Sequence, residues 1–188
     1  DLFDDRVDKS TMVVESVKSI DLLLQEKVGS MMFLGVGNFA SQMQSRVLRL
    51  GLDHDQVSAA QLVKDLQCSK HFTADSFPAH KTWLICQAVA SGKLMADQYK
   101  CIDGLRAWAL ILLLFGRKFK YKQIELAPIL NFQNANNSLI CSASSKMMAL
   151  QEMRNLAAHR GTILKMERLE EMRQYSFDVL NELNEILK

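Results

Sequence analysis

With 188 residues, 48% of them hydrophobic, the chain is long enough for one well-filled core and too apolar for disorder. Eight glycines and two prolines are few for a strand-and-turn protein, so composition points to an all-helical fold. Lys and Arg total 23 against 21 Asp and Glu, a net charge of +2, which excludes a uniformly basic surface and leaves any nucleic-acid contact to local clustering.

The chain opens Asp-Leu-Phe-Asp-Asp, without a Met and without a basic-then-apolar leader, and reads as a trimmed or excised piece. From Ser10 to Val28, Val13, Val17, Ile20, Leu24 and Val28 recur at helical spacing, and Gly29 with Ser30 is expected to break the helix. A second stripe, Met32, Val36, Phe39, Met43, Val47 and Leu50, ends at Gly51 in a C-cap position, and the two helices are expected to form a hairpin. Within it, Gly35-Val36-Gly37 lacks the third glycine and the strand of a dinucleotide loop and reads as a close helix crossing. Ser58 is expected to cap a short helix with Leu62, Val63 and Leu66, followed by a polar connection over 67–79 that holds Pro78.

Ala79 to Ala90 has a helical pattern that Gly92 ends, and a longer helix is expected from about Met95 to Phe115. Its apolar run Ala107 to Phe115 is far short of a membrane span and reads as core. Pro128 excludes a continuous helix over 116–137, which reads as a connection with a short helix near Ile124. A helix from Asn137 or Ser138 then carries Ile140, Met147 and Leu150 toward Gly161, and Thr162 can cap the last one, striped with Met166, Leu169, Met172, Val179, Leu183 and Ile186. The sum is a helical bundle forming one domain over 1–188, with an N-terminal helical part over 1–78 and a bundle over 79–188.

Cys68, Cys86, Cys101 and Cys141 are widely spaced without a Cys-x-x-Cys pair, which suits buried thiols in a reducing, cytoplasmic setting. Cys68, His71, His80 and Cys86 meet no standard zinc spacing, so no metal or other cofactor is assigned. The best basic patch is Arg117, Lys118, Phe119, Lys120, Tyr121 and Lys122, where cations interleave with rings as in a single-stranded RNA groove. The competing reading has these cations answering the dipole of a helix ending at Gly116, with both rings folded into the core.

Arg154-Asn155-Leu156-Ala157-Ala158-His159, followed by Arg160, offers RNA cleavage without a metal. An arginine forks onto phosphate oxygens and a histidine exchanges protons near neutral pH, with Asn155 as a neutral donor and acceptor beside them. Cleavage needs a base, an acid and positive charge on the developing phosphorane, more roles than one Arg and one His fill. Two copies facing across a two-fold axis fill them, hence the expectation of a homodimer.

This arrangement resembles the signature of the HEPN superfamily, in which Arg and His are separated by four to six residues and the first of these is often polar. One helix follows the motif here, similar to that family's placement on the penultimate major helix. The resemblance covers mainly residues 138–188 and more loosely the bundle from residue 79. It implies a dimeric, metal-independent endoribonuclease leaving cyclic 2′,3′-phosphate ends, or a binding module that has lost catalysis. Toxin–antitoxin, phage-defence or RNA-processing settings follow from it, with an RNA substrate and an antitoxin or larger complex as partners. Carried onto this chain it makes His159 the proton-transfer residue and Arg154 the phosphate-stabilising one, with Asn155 assisting.

Five residues apart on a straight helix, Arg154 and His159 point roughly 140° away from each other. Three solutions are open: Arg154 reaches around, the last turn before Gly161 loosens, or each half-site takes its Arg from one subunit and its His from the other. The structural alternative pairs Arg154 with Glu152 or Glu167 and leaves His159 to cap its helix.

Overall fold

The computed structural model describes residues 5–33, 39–66, 79–92, 104–160 and 166–188. It is mostly helical, with α1 (Asp5–Leu24), a π turn (Gln25–Gly29), α2 (Ser30–Phe33), α3 (Phe39–Leu50), α4 (Gln56–Leu66) and α5 (Ala79–Ala90), then α6 (Leu105–Phe115), β1 (Phe119–Tyr121), β2 (Ile124–Leu126), α7 (Asn137–Arg160) and α8 (Met166–Ile186).

The organising element is α6. Every residue from Leu105 to Phe115 except Arg106 is buried, as an all-round apolar helix requires. It packs on α7, which also packs on α8, while α1 lies against α6, α7 and α8. Ala143 and Ser144 are fully buried in α7, and such small residues let α6 come close enough for the Ser144 hydroxyl to reach Ala109 O at 3.4 Å. A second layer of α3, α4 and α5 joins through α5–α6 and α4–β1 contacts. The core cluster therefore runs without interruption from Val17 to Ile186, and residues on both sides of position 78 share it.

Helix ends follow local chemistry in several places. Gly51 at φ 62° donates to Leu48 O, and Leu52, fully buried, donates to Val47 O, the paired bonds of a Schellman cap. Asp55, not Ser58, caps α4, accepting the Ser58 N–H at 2.6 Å, and this bond holds its carboxyl below the ordinary range. Asn136 does the same for α7 through the Leu139 N–H. Gly104, at φ 79° and ψ 177°, stops α6 from extending back to the expected start near Met95.

Three further expectations are corrected. Gly29 and Ser30 do not end the first helix, because the chain passes through the π turn and continues into α2 with helical dihedrals at Ser30. The hairpin of the first two long helices is reduced to the contact of α2 with α3: α1 packs on α6, α7 and α8, whereas α3 packs mainly on α5. The stretch near Ile124 is no helix but an antiparallel hairpin pairing Phe119 with Leu126, Lys120 with Glu125 and Tyr121 with Ile124. Its turn residues, Lys122 (φ 45°) and Gln123 (φ 68°), both take the left-handed conformation that the twist of a two-residue hairpin turn demands. Gly35-Val36-Gly37, Cys68, His71, Pro78, Cys101, Gly161 and Thr162 lie outside the described residues.

Candidate functional site

The four last carbonyls of a helix have no partner inside it, and at α6 each finds one. Leu112 O accepts Gly116 N–H, Leu113 O accepts Arg117 Nε–H at 3.4 Å, Leu114 O accepts from Arg46 at 2.8 Å, and Phe115 O accepts from both Ile129 and Leu130. Arg117 also donates to Leu66 O at 2.6 Å and to Cys141 Sγ at 2.9 Å, and Arg46 to Ala127 O. Burial, with Arg49 adding to it, lowers the Arg46 pKa to about 10, so the group stays charged at neutral pH.

This dismantles half of the expected RNA-binding patch. Arg117, Phe119 and Tyr121 are 7%, 7% and 0% exposed, so neither ring can stack on a base and the guanidinium is consumed by backbone carbonyls. Tyr121 OH donates to Ser58 O at 3.4 Å. Lys118, Lys120 and Lys122 stay exposed, and Lys118 pairs with Glu125 at 3.0 Å. Alternation of buried rings and exposed lysines is the period-two signature of a strand, the signal that sequence reasoning passed over.

The motif lies on α7, which is helical through Arg160, and α8 follows it. The last turn before Gly161 is therefore not loosened up to Arg160. Arg154 and Asn155 are half-buried, while of Leu156 to Arg160 only the backbone is described, so the side chains of His159 and Arg160 lie outside what the structure specifies.

Asn155 is fixed from one turn away. Gln151, buried, donates from Nε2 to Asn155 Oδ1 at 3.0 Å, and its own Oε1 accepts the Leu105 N–H, the first of α6, at 3.0 Å. Gly104 makes room for this, since a Cβ there would lie 2.5 Å from Gln151 Oε1. With its oxygen on Gln151, the Asn155 amide turns its nitrogen the other way, as a donor. Beside it Arg106 pairs with Glu152 at 2.8 Å, so Glu152 is engaged by α6. Among the described residues Arg154 has no ion pair. Sequence reasoning missed Gln151 and Arg106, whose partners lie 46 residues away and leave no local trace.

Two members of the set considered for zinc are described. His80 is exposed and accepts from Gln56 Nε2 at 3.3 Å, whereas Cys86 is buried, and burial followed by the charge of Asp53 pushes its thiol up to about 12. Among the described residues no helix is long and apolar enough to cross a membrane.

No family model, curated protein or solved structure matches the chain.

Proposed function

We propose that the chain is a HEPN-type, metal-independent endoribonuclease acting as a symmetric homodimer. The observation that carries the reading is the Arg154-Asn155-x-x-x-His159 spacing near the end of the penultimate helix of an all-helical fold. In the reaction the RNA 2′-oxygen forms a bond to phosphorus as the bond to the 5′-oxygen breaks. One His159 removes the 2′-proton and its symmetry mate protonates the leaving oxygen, with Arg154 forked onto the phosphorane and the Asn155 amide nitrogen donating to it. Divergence of Arg154 and His159 around α7 favours half-sites that draw the two residues from different subunits. The exposed Lys118, Lys120 and Lys122, together with Arg160, supply further phosphate contacts.

A second reading, a non-catalytic helical module binding RNA, nucleotide or protein within a larger complex, is favoured by the engagement of Asn155 by Gln151. Incubating purified protein with mixed cellular RNA in excess chelator separates the two. The nuclease reading expects cyclic-phosphate ends, with cleavage reduced about 10²- to 10⁴-fold in His159→Ala and in Arg154→Ala. Intact RNA with the parent chain would sink it in favour of the module.

A further inference from the structure

The first N–H of α6, on Leu105, has no partner inside its own helix, and Gly104 before it has no side chain to cap it. Gln151 of α7 supplies the acceptor: its Oε1 takes the Leu105 N–H at 3.0 Å, at a position only 8% exposed. This approach depends on Gly104, whose φ of 79° and missing Cβ leave room for the Gln151 carboxamide. A backbone N–H can only donate, so the atom facing it is the amide oxygen, and the orientation of the Gln151 side chain is fixed by chemistry.

That orientation is passed one turn along α7. With its oxygen on Leu105, Gln151 has only Nε2 to turn toward Asn155, which answers with Oδ1 at 3.0 Å. The bond occupies the oxygen of Asn155 and leaves its amide nitrogen, with two N–H donors, on the other side. An asparagine without such a partner offers its oxygen or its nitrogen with nearly equal ease, whereas the non-bridging oxygens of a phosphodiester only accept. Capping α6 needs no more than an acceptor at position 151, and the positive end of the helix favours even a carboxylate there. The cap leaves the amide nitrogen of Gln151 unused, and that nitrogen goes to Asn155.

We infer that Gln151 is a positioning residue, which locks the Asn155 amide so that Nδ2 is the atom offered to a non-bridging phosphate oxygen of RNA, with the backbone at the start of α6 setting that polarity. This role presupposes the RNA-cleaving reading of the motif and adds to it a residue that touches no substrate. Reversing the one amide would put an oxygen against the phosphate, exchanging an attraction for a repulsion with no change in shape.

The test is Gln151→Glu, with binding of a mixed-sequence 2′-O-methyl oligoribonucleotide, which cannot be cut, measured on the full chain. The ionised carboxylate accepts from Leu105 as before and also from Asn155, whose amide turns over. Affinity is expected to fall about tenfold or more at about pH 8, with unchanged far-UV circular dichroism. Protonation gives the new carboxyl an O–H that donates to Asn155 Oδ1 and restores the orientation. The parent-to-variant affinity ratio is therefore expected to return toward one between about pH 9 and about pH 5, burial holding that carboxyl above its usual range. Titration of groups common to both proteins, His159 included, cancels in the ratio. Asn155→Asp keeps the bond from Gln151, replaces the outward donor by an acceptor, and is expected to lose as much affinity. The proposal fails if the parent does not bind the oligonucleotide or if Gln151→Glu binds as well as the parent at about pH 8. It also fails if the ratio is the same at every pH, which would leave Gln151 a helix cap and nothing more. Cleavage of ordinary RNA is scored separately: intact RNA beside a pH-reversible binding ratio sinks the nuclease reading alone, whereas cutting that ignores Gln151→Glu at about pH 8 sinks this proposal alone.

Discussion

The end of α6 and the last turns of α7 both involve arginine, and they use it in opposite ways. At α6 the guanidinium groups of Arg46 and Arg117 are 8% and 7% exposed and bonded to carbonyls from several segments. At α7 Arg154 is half-buried and has no ion pair among the described residues, while the acidic side chain two positions before it, Glu152, is taken by Arg106. A helix C-terminus attracts a cation whether or not a nucleic acid is near, so a basic residue there says nothing about phosphate until its acceptors are known. Of these three arginines, Arg154, with no ion pair among the described residues, is the one worth testing for function.

That contrast can be broken by substitution, beginning with the largest expected effect. Arg117→Ala orphans Leu113 O and Leu66 O in the interior and is expected to lower the unfolding free energy by about 3–5 kcal/mol, read from urea denaturation. A loss under about 1 kcal/mol would mean that water or rearrangement satisfies these carbonyls and that the burial of Arg117 is incidental. Gln151→Ala removes the cap of α6 and the hold on Asn155 together, with an expected loss of about 1–2 kcal/mol. If it instead leaves stability unchanged while altering the Asn155 side-chain amide resonances, the bond to Asn155 is the one that matters.

Replacing Lys122-Gln123 by Asn-Gly relieves two left-handed residues at the hairpin turn and should stabilise the fold by about 1 kcal/mol. A destabilised variant would show that the lysine's contact with the Tyr121 ring, 5.2 Å from its centroid, outweighs the backbone strain. The smallest effect is expected at Arg154→Ala, within about 0.5 kcal/mol of the parent. A loss approaching that of Arg117→Ala would place Arg154 in the same structural category and remove the premise of the nuclease reading.

Much of the helical framework is legible because its determinants are local. Ala79 and Ala90 bound α5 as the pattern indicates, Gly51 is a C-cap, and the apolar run ending at Phe115 is the buried centre. What escapes is set by conformations or partners that the sequence does not advertise. The hairpin turn has neither Gly nor Asn at its two left-handed positions, and Phe119-Lys120-Tyr121 is too short for its alternation to stand out. Gly29 looks like a stop, yet the π turn carries the helix through it. The fate of Arg117 depends on Leu66 O, 51 residues away, so no reading of the basic run on its own could separate a core guanidinium from a surface one. For the candidate site, position on the penultimate helix was readable, whereas the anchoring of Asn155 through Gln151 required the approach of Gly104 and Leu105 from another helix.

The tie at the end of α6 also bears on how the chain reaches this state. Arg46 joins Leu114 across 68 residues and Ala127 across 81, and Arg117 joins Leu66 across 51. Each is a long loop to close, and the three bonds coexist only once α3, α4, α6 and the segment after the hairpin have met. The complete junction thus rewards only a nearly complete assembly, and peeling the layer of α3 and α4 from α6 has to break these buried bonds.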